Sequence, residues 1–325
     1  MKRLTYVEAL REAMTLEMRR DPNVFLAGED VGVFGDCFGQ TLGLFAEFGP
    51  QRVVDTPISE TAILGLGTGA AIVGLRPVIE LMFIDFLGLA MDQLFNQVAK
   101  ICYMFGGNLK VPMVIRLPAG AGFSAGPQHS QSLEAWLAHL PGLKVVMPYS
   151  PADAKGLMTS AIRDDNPVAY IEQKALYGLE GLVPEGEYLT PIGQAKVVRC
   201  GDDVTLIGWG AMVGQCLEAA DLMLKQGKKA EVLDLRSITP LDKTTILESV
   251  SKTGRAIVVH EAVRTGGFGA EIAATLAEEG FSLLKAPVVR VTAPDTPVPF
   301  SPLLEDEYIP SASKIVEAAY TIFNC

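Results

Sequence analysis

Cysteine and histidine are scarce in this 325-residue chain, and neither is arranged for metal binding. Five cysteines (37, 102, 200, 216, 325) form no CxxC pair, and the three histidines (129, 139, 260) stand at no metal-ligand spacing. That pattern excludes a disulfide framework and a zinc site and leaves the cysteines as packing residues. Long apolar runs are missing as well. The longest, residues 78–91, is interrupted by Glu80 and Asp85 and falls short of the roughly 20 residues that a membrane-spanning helix needs. No signal core follows the basic start Met1-Lys2-Arg3, because Glu8, Arg11 and Glu12 break it; the cytosol is the default compartment. Basic charge is in deficit, with 27 Lys and Arg against 38 Asp and Glu, a net charge of −11. Such a balance repels phosphate backbones and anionic membranes, so neither nucleic acid nor a membrane is an expected partner. Short-period repeats and low-complexity segments are also lacking, which excludes solenoids.

What is present is apolar and alternating. Hydrophobic residues make up 49% of the chain and mean hydropathy is +0.28, which fits parallel sheets buried on both faces or a large subunit interface. Thr5-Tyr6-Val7-Glu8 is a capping-box pattern, and Tyr6, Leu10, Met14 and Met18 recur at helical spacing as far as Arg20, predicting an amphipathic helix that Pro22 stops. Short apolar runs at 24–27, 78–83, 113–117, 144–147 and 168–171 read as strands, and 87–104, 132–140 and 152–163 as helices. Residues 182–194 turn rich in Pro, Gly and Glu without helical period, as an exposed connection does. Beyond them strands at 204–209, 230–233, 256–260 and 288–292 alternate with helices at 211–226, 241–253, 269–279 and 313–322. The prediction is an α/β chain of two successive domains, 1–181 and 195–325, joined by a linker at 182–194.

Gly65-Leu66-Gly67-Thr68-Gly69-Ala70 matches the dinucleotide fingerprint GxGxxA, and a nicotinamide dehydrogenase built on it is one rival reading. Its context argues against it, because the fingerprint should follow a strand directly, whereas Pro57-Ile58-Ser59-Glu60 precedes it. Close helix packing explains these glycines better. Gly266-Gly267-Phe268-Gly269 opens a helix without the full spacing and reads as a domain or subunit contact. Glu60 begins a glycine-rich apolar helix, where burial would raise its pKa and the helix dipole would lower it; on the residues alone it reads first as an acid stabilising that dipole. His129 lies in a glycine-rich loop leaving the strand at 113–117, the kind of place where catalytic residues gather. His139 and His260 read as packed or structural.

Taken in order, Asp55-Thr56-Pro57-Ile58-Ser59-Glu60, Glu80-Leu81-Met82-Phe83-Ile84-Asp85-Phe86, Gln128-His129-Ser130-Gln131, Pro141-Gly142-Leu143-Lys144 and Asp234-Leu235-Arg236-Ser237-Ile238-Thr239-Pro240 make the chain resemble a known family from end to end. It is similar to the beta subunit of the thiamine-diphosphate-dependent decarboxylase component of 2-oxo acid dehydrogenase complexes. Its Asp92-Gln93-Leu94-Phe95-Asn96-Gln97 and Tyr103-Met104-Phe105-Gly106-Gly107 look closest to the acetoin-cleaving branch. The pyruvate and branched-chain branches stay open.

The resemblance implies a thiamine pyrimidine-binding domain followed by a transketolase-type C-terminal domain. It makes Glu60 the acid that bonds the aminopyrimidine ring, Phe86 the aromatic packed on that ring, and Met82 part of the same pocket. It gives His129 a role near the lipoyl entrance, handling a proton as the acyl group moves to lipoamide. It also aligns Met113, Ala161, Ile162, Asp164 and Asn166 with a potassium site, although a plain solvated turn explains Arg163-Asp164-Asp165-Asn166-Pro167 equally well. The family's diphosphate-and-magnesium motif, Gly-Asp-Gly with a distant Asn, is absent; Gly35-Asp36-Cys37 and Gly201-Asp202-Asp203 do not satisfy it. The implied partners are therefore an alpha subunit that carries magnesium and the diphosphate half of the cofactor, in a two-alpha two-beta heterotetramer, and a lipoyl-bearing acyltransferase core. A noncatalytic assembly subunit is the remaining alternative.

Overall fold

The computed structural model describes residues 1–323, and these divide into two compact units. The first comprises Met1–Ala119 and Trp136–Ile192; the second comprises Gly120–Ala135 and the chain from Gly193 onward. Successive strand–helix alternation produces parallel sheets in both, an α/β fold. No helix among the described residues is long and apolar enough to cross a membrane.

In the first unit β1 (Lys2–Thr5) leads into helix α1 (Tyr6–Arg20). The capping box forms as the spacing predicts: the Glu8 N–H donates to Thr5 Oγ1 at 3.2 Å, and the Thr5 N–H donates to the Glu8 carboxylate at 2.8 Å. Strands β2 (Val24–Gly28), β3 (Val53–Asp55), β4 (Arg76–Glu80), β5 (Val114–Ala119), β6 (Lys144–Val146) and β7 (Val168–Gln173) lie in the order β6-β7-β5-β4-β2-β3, all parallel. β5 and β7 are buried along their whole length, as central parallel strands covered on both faces are. Strand β8 (Glu180–Val183) pairs antiparallel with β1. It takes in the start of the expected linker, and farther along Tyr188 Oη donates to the Ala152 carbonyl at 2.6 Å and the Thr190 N–H to the Gly156 carbonyl at 3.1 Å.

The helix expected over 87–104 is not continuous. It becomes a 3-10 segment at Ile84–Ala90, a π-helical segment at Gln93–Val98 and a short α-helix at Ile101–Met104. One contributor is a contact from a distant segment: Thr61 Oγ1 donates to the Leu89 carbonyl near the end of the 3-10 segment. Nor do the cysteines pack uniformly. Of the four that are described, only Cys216 is buried, while Cys37 and Cys200 are exposed and Cys102 is intermediate; Cys325 lies outside the described residues.

The second unit orders its strands β14-β13-β10-β11-β9, where β9 is Lys196–Arg199, β10 Val204–Gly208, β11 Ala230–Asp234, β13 Ala256–Val263 and β14 Val289–Ala293; a short strand β12 spans Ser237–Thr239. Only β9 runs antiparallel to its neighbour in this five-stranded sheet. At its centre the Trp209 indole stacks on the His260 imidazole, with centroids 5.3 Å apart and planes at 10°. This contact explains the second glycine cluster. A Cβ on Gly267 would stand 2.5 Å from His260 Cε1, and one on Gly269 2.5 Å from His260 Cδ2, so both positions are kept bare for the ring.

Burial, joined by the positive charges of Arg290 and Arg264, lowers the His260 imidazole to about 4, against a weaker opposing contact with the Ala262 backbone. The unfolded chain takes up this proton near pH 6.5 while the folded chain resists it. Stability is therefore expected to fall as pH drops from about 6.5 to 4, by about 3 kcal/mol at most. Urea denaturation across that range checks this: His260→Phe should flatten the slope, and an unchanged slope would exclude His260 as its source.

Candidate active site

Parallel α/β sheets hold ligands at the carboxyl ends of their strands, and in the first unit the acids collect there. Glu29 follows the last residue of β2, Asp55 ends β3, and Glu80 ends β4. Glu60 is the first residue of helix α3 (Glu60–Ile72) and is buried, so its carboxyl sits at the positive end of the helix dipole. Burial raises the Glu29 carboxyl above the ordinary range, and the neighbouring charges of Glu60 and then Asp30 push it further. Two carboxyls thus share one dry recess, and Glu29 Oε1 is buried there without a hydrogen-bond partner. Sequence reading missed Glu29. Its signal was available in Gly28-Glu29-Asp30, an acid at the exit of a strand predicted at 24–27.

Helix α3 packs against the 84–90 segment, which brings Phe86 to the side of the helix that Glu60 begins. Phe86 meets the Phe83 ring edge-on at 5.9 Å, and Phe83 meets Phe38 edge-on at 6.1 Å. Cys37 Sγ donates to Met82 Sδ at 3.2 Å. Glu60, Met82 and Phe86, three residues singled out from the sequence, therefore lie around the same strand ends, and Met82 and Phe86 are half-buried. Gly65–Ala70 belong to the interior of α3, and a Cβ on Gly67 would stand 2.5 Å from Ile79 Cγ1 and 2.7 Å from Met113 Sδ. The glycines seat the helix on the sheet, which is not the strand–turn–helix setting of a dinucleotide fingerprint.

Beneath this recess lies a buried charge cluster. Glu80 faces Arg116 across the β4–β5 register, and the Arg116 guanidinium contacts Glu80 Oε2, donates to both Glu172 oxygens at 2.7 and 3.0 Å, and lies 3.6 Å from Asp36. All four side chains are essentially inaccessible. Desolvation drives the Glu80 carboxyl well above its usual range, Asp36 reinforces the shift, and Arg116 opposes it. Glu80 Oε1 and Asp36 Oδ2 are both buried without a hydrogen-bond partner, and a single proton between them would satisfy the two atoms together. Asp36 adopts φ +72 within the loop after β2, so the cluster fixes the backbone next to Cys37 and Met82.

His129 lies in Gly120–Ala135, a segment of the second unit, and is half-buried in an irregular loop. Met113, Ala161, Ile162, Asp164 and Asn166 meet where helix α6 (Pro151–Arg163) ends beside the start of β5. Their oxygens are already engaged. Arg76 Nη1 donates to the Ile162 and Asp164 carbonyls at 3.0 and 3.1 Å, and Lys144 pairs with the Asp164 carboxylate. Met113 and Ala161 carbonyls each accept one backbone N–H, which leaves each a second lone pair. A potassium ion fits this turn only in competition with two side-chain cations.

The balance within the buried cluster has a measurable consequence. Since burial drives the Glu80 carboxyl toward its neutral form, Glu80→Gln should cost less than about 1 kcal/mol, whereas Arg116→Met, which leaves Glu172 uncompensated, should cost about 3–5 kcal/mol. Chemical denaturation of the two variants compares them; equal losses would contradict a neutral Glu80.

Comparison with known proteins agrees with these features. Residues 2–180 match the family model described as transketolase, pyrimidine binding domain, and residues 193–315 match transketolase, C-terminal domain. The chain is 50% identical to the acetoin:2,6-dichlorophenolindophenol oxidoreductase subunit beta of Cupriavidus necator, covering 98% of this chain and 97% of that one. It is 46% identical to the mitochondrial pyruvate dehydrogenase E1 component subunit beta-2 of Oryza sativa, covering 98% and 86%. Among solved structures, a split-gene transketolase described as an inactive beta4 tetramer superposes with a TM-score of 0.81 at 25% identity, covering 99% of this chain and 98% of that one.

Proposed function

The chain belongs to the beta subunits of the thiamine-diphosphate-dependent component of 2-oxo acid dehydrogenases, and from that premise we propose that it acts with an alpha subunit to cleave acetoin and pass the acetyl unit to a lipoyl group. The observation that carries the reading is the buried carboxyl pair Glu60 and Glu29, set at the strand ends with an unmet acceptor on Glu29, in a chain half identical to an acetoin-oxidising relative over nearly its whole length. Oxidation of pyruvate or a branched-chain 2-oxo acid is the second reading, supported by the 46% identity to a pyruvate dehydrogenase subunit.

Thiamine diphosphate, when bound, supplies a carbon acid that adds to the substrate carbonyl and takes up the electrons of the broken C–C bond. The residues here suit its pyrimidine half. Glu60 would hold a ring nitrogen through a proton, and in a recess closed to bulk water that proton stays on the shared bond. Burial and then the charge of Glu60 raise the Glu29 carboxyl, which favours its neutral form and would limit the like-charge repulsion. Phe86 and Met82 would give the ring an apolar wall. Binding the diphosphate and magnesium falls to the alpha subunit, because the Gly-Asp-Gly motif is missing here; a two-alpha two-beta assembly in the cytosol completes each cofactor site. His129 would move a proton as the acetyl unit reaches the lipoyl sulfur on the acyltransferase. A potassium ion at the α6 turn would brace the strand starts, away from the carboxyl ends, so its exchange should move the thermal midpoint and leave kcat alone.

Turnover of acetoin, pyruvate and branched-chain 2-oxo acids by the reconstituted alpha–beta pair tests the substrate; acetoin should be fastest, and rapid pyruvate oxidation beside negligible acetoin cleavage would decide for the second reading. Glu60→Gln should lower acetoin cleavage by about 10²–10⁴-fold with assembly intact. Near-normal activity in that variant would support a noncatalytic, assembling role.

A further inference from the structure

The loop that carries His129 is held by buried acids of the second unit. Glu261 Oε1, on β13, accepts the Ala121 N–H at 2.7 Å and Ser132 Oγ at 3.3 Å, one from each end of the loop. Glu305, in helix α10 (Pro302–Tyr308), takes the middle: Oε1 accepts the Gly122 N–H at 2.8 Å, and Oε2 accepts the Ser124 N–H at 2.8 Å and Ser124 Oγ at 3.2 Å. The two carboxyl side chains are only 4% and 3% exposed. Gly122 at φ +102 and the non-glycine Ser124 at φ +52 turn their amides toward one carboxylate, the concave arrangement in which backbone N–H groups receive an anion. Here the anion is part of the protein. The loop's base is closed by the Gly120 N–H on the Gln131 carbonyl at 3.0 Å, and the Phe300 ring fills the space where Gly126 would carry a Cβ, 2.3 Å from that point.

An irregular loop with left-handed residues does not keep one conformation by itself, because each such residue costs free energy that the surroundings must offset. Charge-assisted bonds to a buried carboxylate are the strongest restraint available for that purpose. We propose that Glu305 is the positioning residue for His129, fixing where the imidazole stands during acetyl transfer to the lipoyl group, with Glu261 pinning the loop's two ends. The proposal rests on the reading of His129 given above. Glu305 touches no reacting atom. Its removal orphans three donors in the loop, which then turn to solvent and release His129 from its place.

The alpha–beta pair reconstituted with its lipoyl-bearing acyltransferase provides the test, with lipoyl acylation and dichlorophenolindophenol reduction measured in parallel for H129A, E305A, E305Q and the double variants. Displacing a catalytic group by about 1 Å costs on the order of 100-fold, so E305A should lower lipoyl acylation by about that factor. E305Q, which keeps one acceptor oxygen, should lower it less. Dye reduction should fall no further in either variant than it does in H129A. Adding E305A or E305Q to H129A should bring no additional loss of acylation beyond about twofold, because residues that act through one another are not additive. Loss of both reactions in equal measure, or multiplying losses in the double variants, would overturn the proposal and leave Glu305 a structural residue; if E305A does not fold, E305Q and its double variant decide. H129A without effect on acylation would instead bring down the reading of His129 itself, while an impaired H129A beside an unimpaired E305A refutes the clamp alone.

Discussion

A guanidinium with no access to water is the constraint around which the first unit is arranged. Arg116 lies in the middle of a parallel sheet, and its charge has to be met from the strands on either side of it. Glu80 comes from β4 and Glu172 from β7, while Asp36 comes from the loop that follows β2. Taking these groups out of water costs several kcal/mol for each charge, so the arrangement survives only if geometry is close to ideal and the net charge stays low. A proton between Glu80 and Asp36 would meet the second condition. It would also give a hydrogen bond to Glu80 Oε1 and Asp36 Oδ2, which are buried without one. The cluster therefore sets the position of the loop after β2 as firmly as it sets the strands, and that loop forms one side of the recess holding Glu29, Cys37 and Met82.

Buried polar atoms without partners are uncommon in folded proteins, and each costs about 1–3 kcal/mol. Apart from Glu80 and Asp36, Glu29 Oε1, the Gln40 amide and Thr56 Oγ1 are among such atoms in the first unit. They lie in the loops directly after β2 and β3. Such groups concentrated at the ligand-binding edge of a parallel sheet describe a surface that is incomplete without something polar to meet it. The missing magnesium-diphosphate motif fits the proposed function, in which this chain would supply the acidic, aromatic half of a cofactor site and a partner chain the anion-binding half.

Much of this was legible beforehand because it depends on local rules. The capping box at Thr5 and Glu8, the apolar stripe of α1 and the runs that become β5 and β7 follow from spacing and composition alone. The role proposed for Glu60 comes only from resemblance, since a first-turn acid looks the same whether it steadies a helix dipole or binds a ring. Contacts between distant segments were hidden. Nothing near residue 89 shows that Thr61 will bond its carbonyl, and nothing in Arg116, Glu80, Glu172 or Asp36 shows that four residues spread between positions 36 and 172 share a charge balance. Glu29 was hidden in a milder way: its place at a strand exit was readable, but its burial beside Glu60 was not.

The loop at 120–135 shows most clearly why local reading stops where it does. Glycines at 120, 122 and 126 mark it as irregular, and irregular loops rich in glycine are ordinarily the mobile parts of a fold. Its backbone donors, however, end on carboxylates more than a hundred residues away, at 261 and 305. The left-handed conformation has another use there: at Gly122 and Ser124 it lets two nearby amides face a single buried acid. A sequence of small residues thus yields a restrained loop, and the restraint resides in two glutamates that composition alone would assign to solvent. In the proposed acetyl transfer, rigidity of this kind is what a proton-handling imidazole needs, because the benefit of an oriented catalytic group is lost when its position is averaged over many loop conformations.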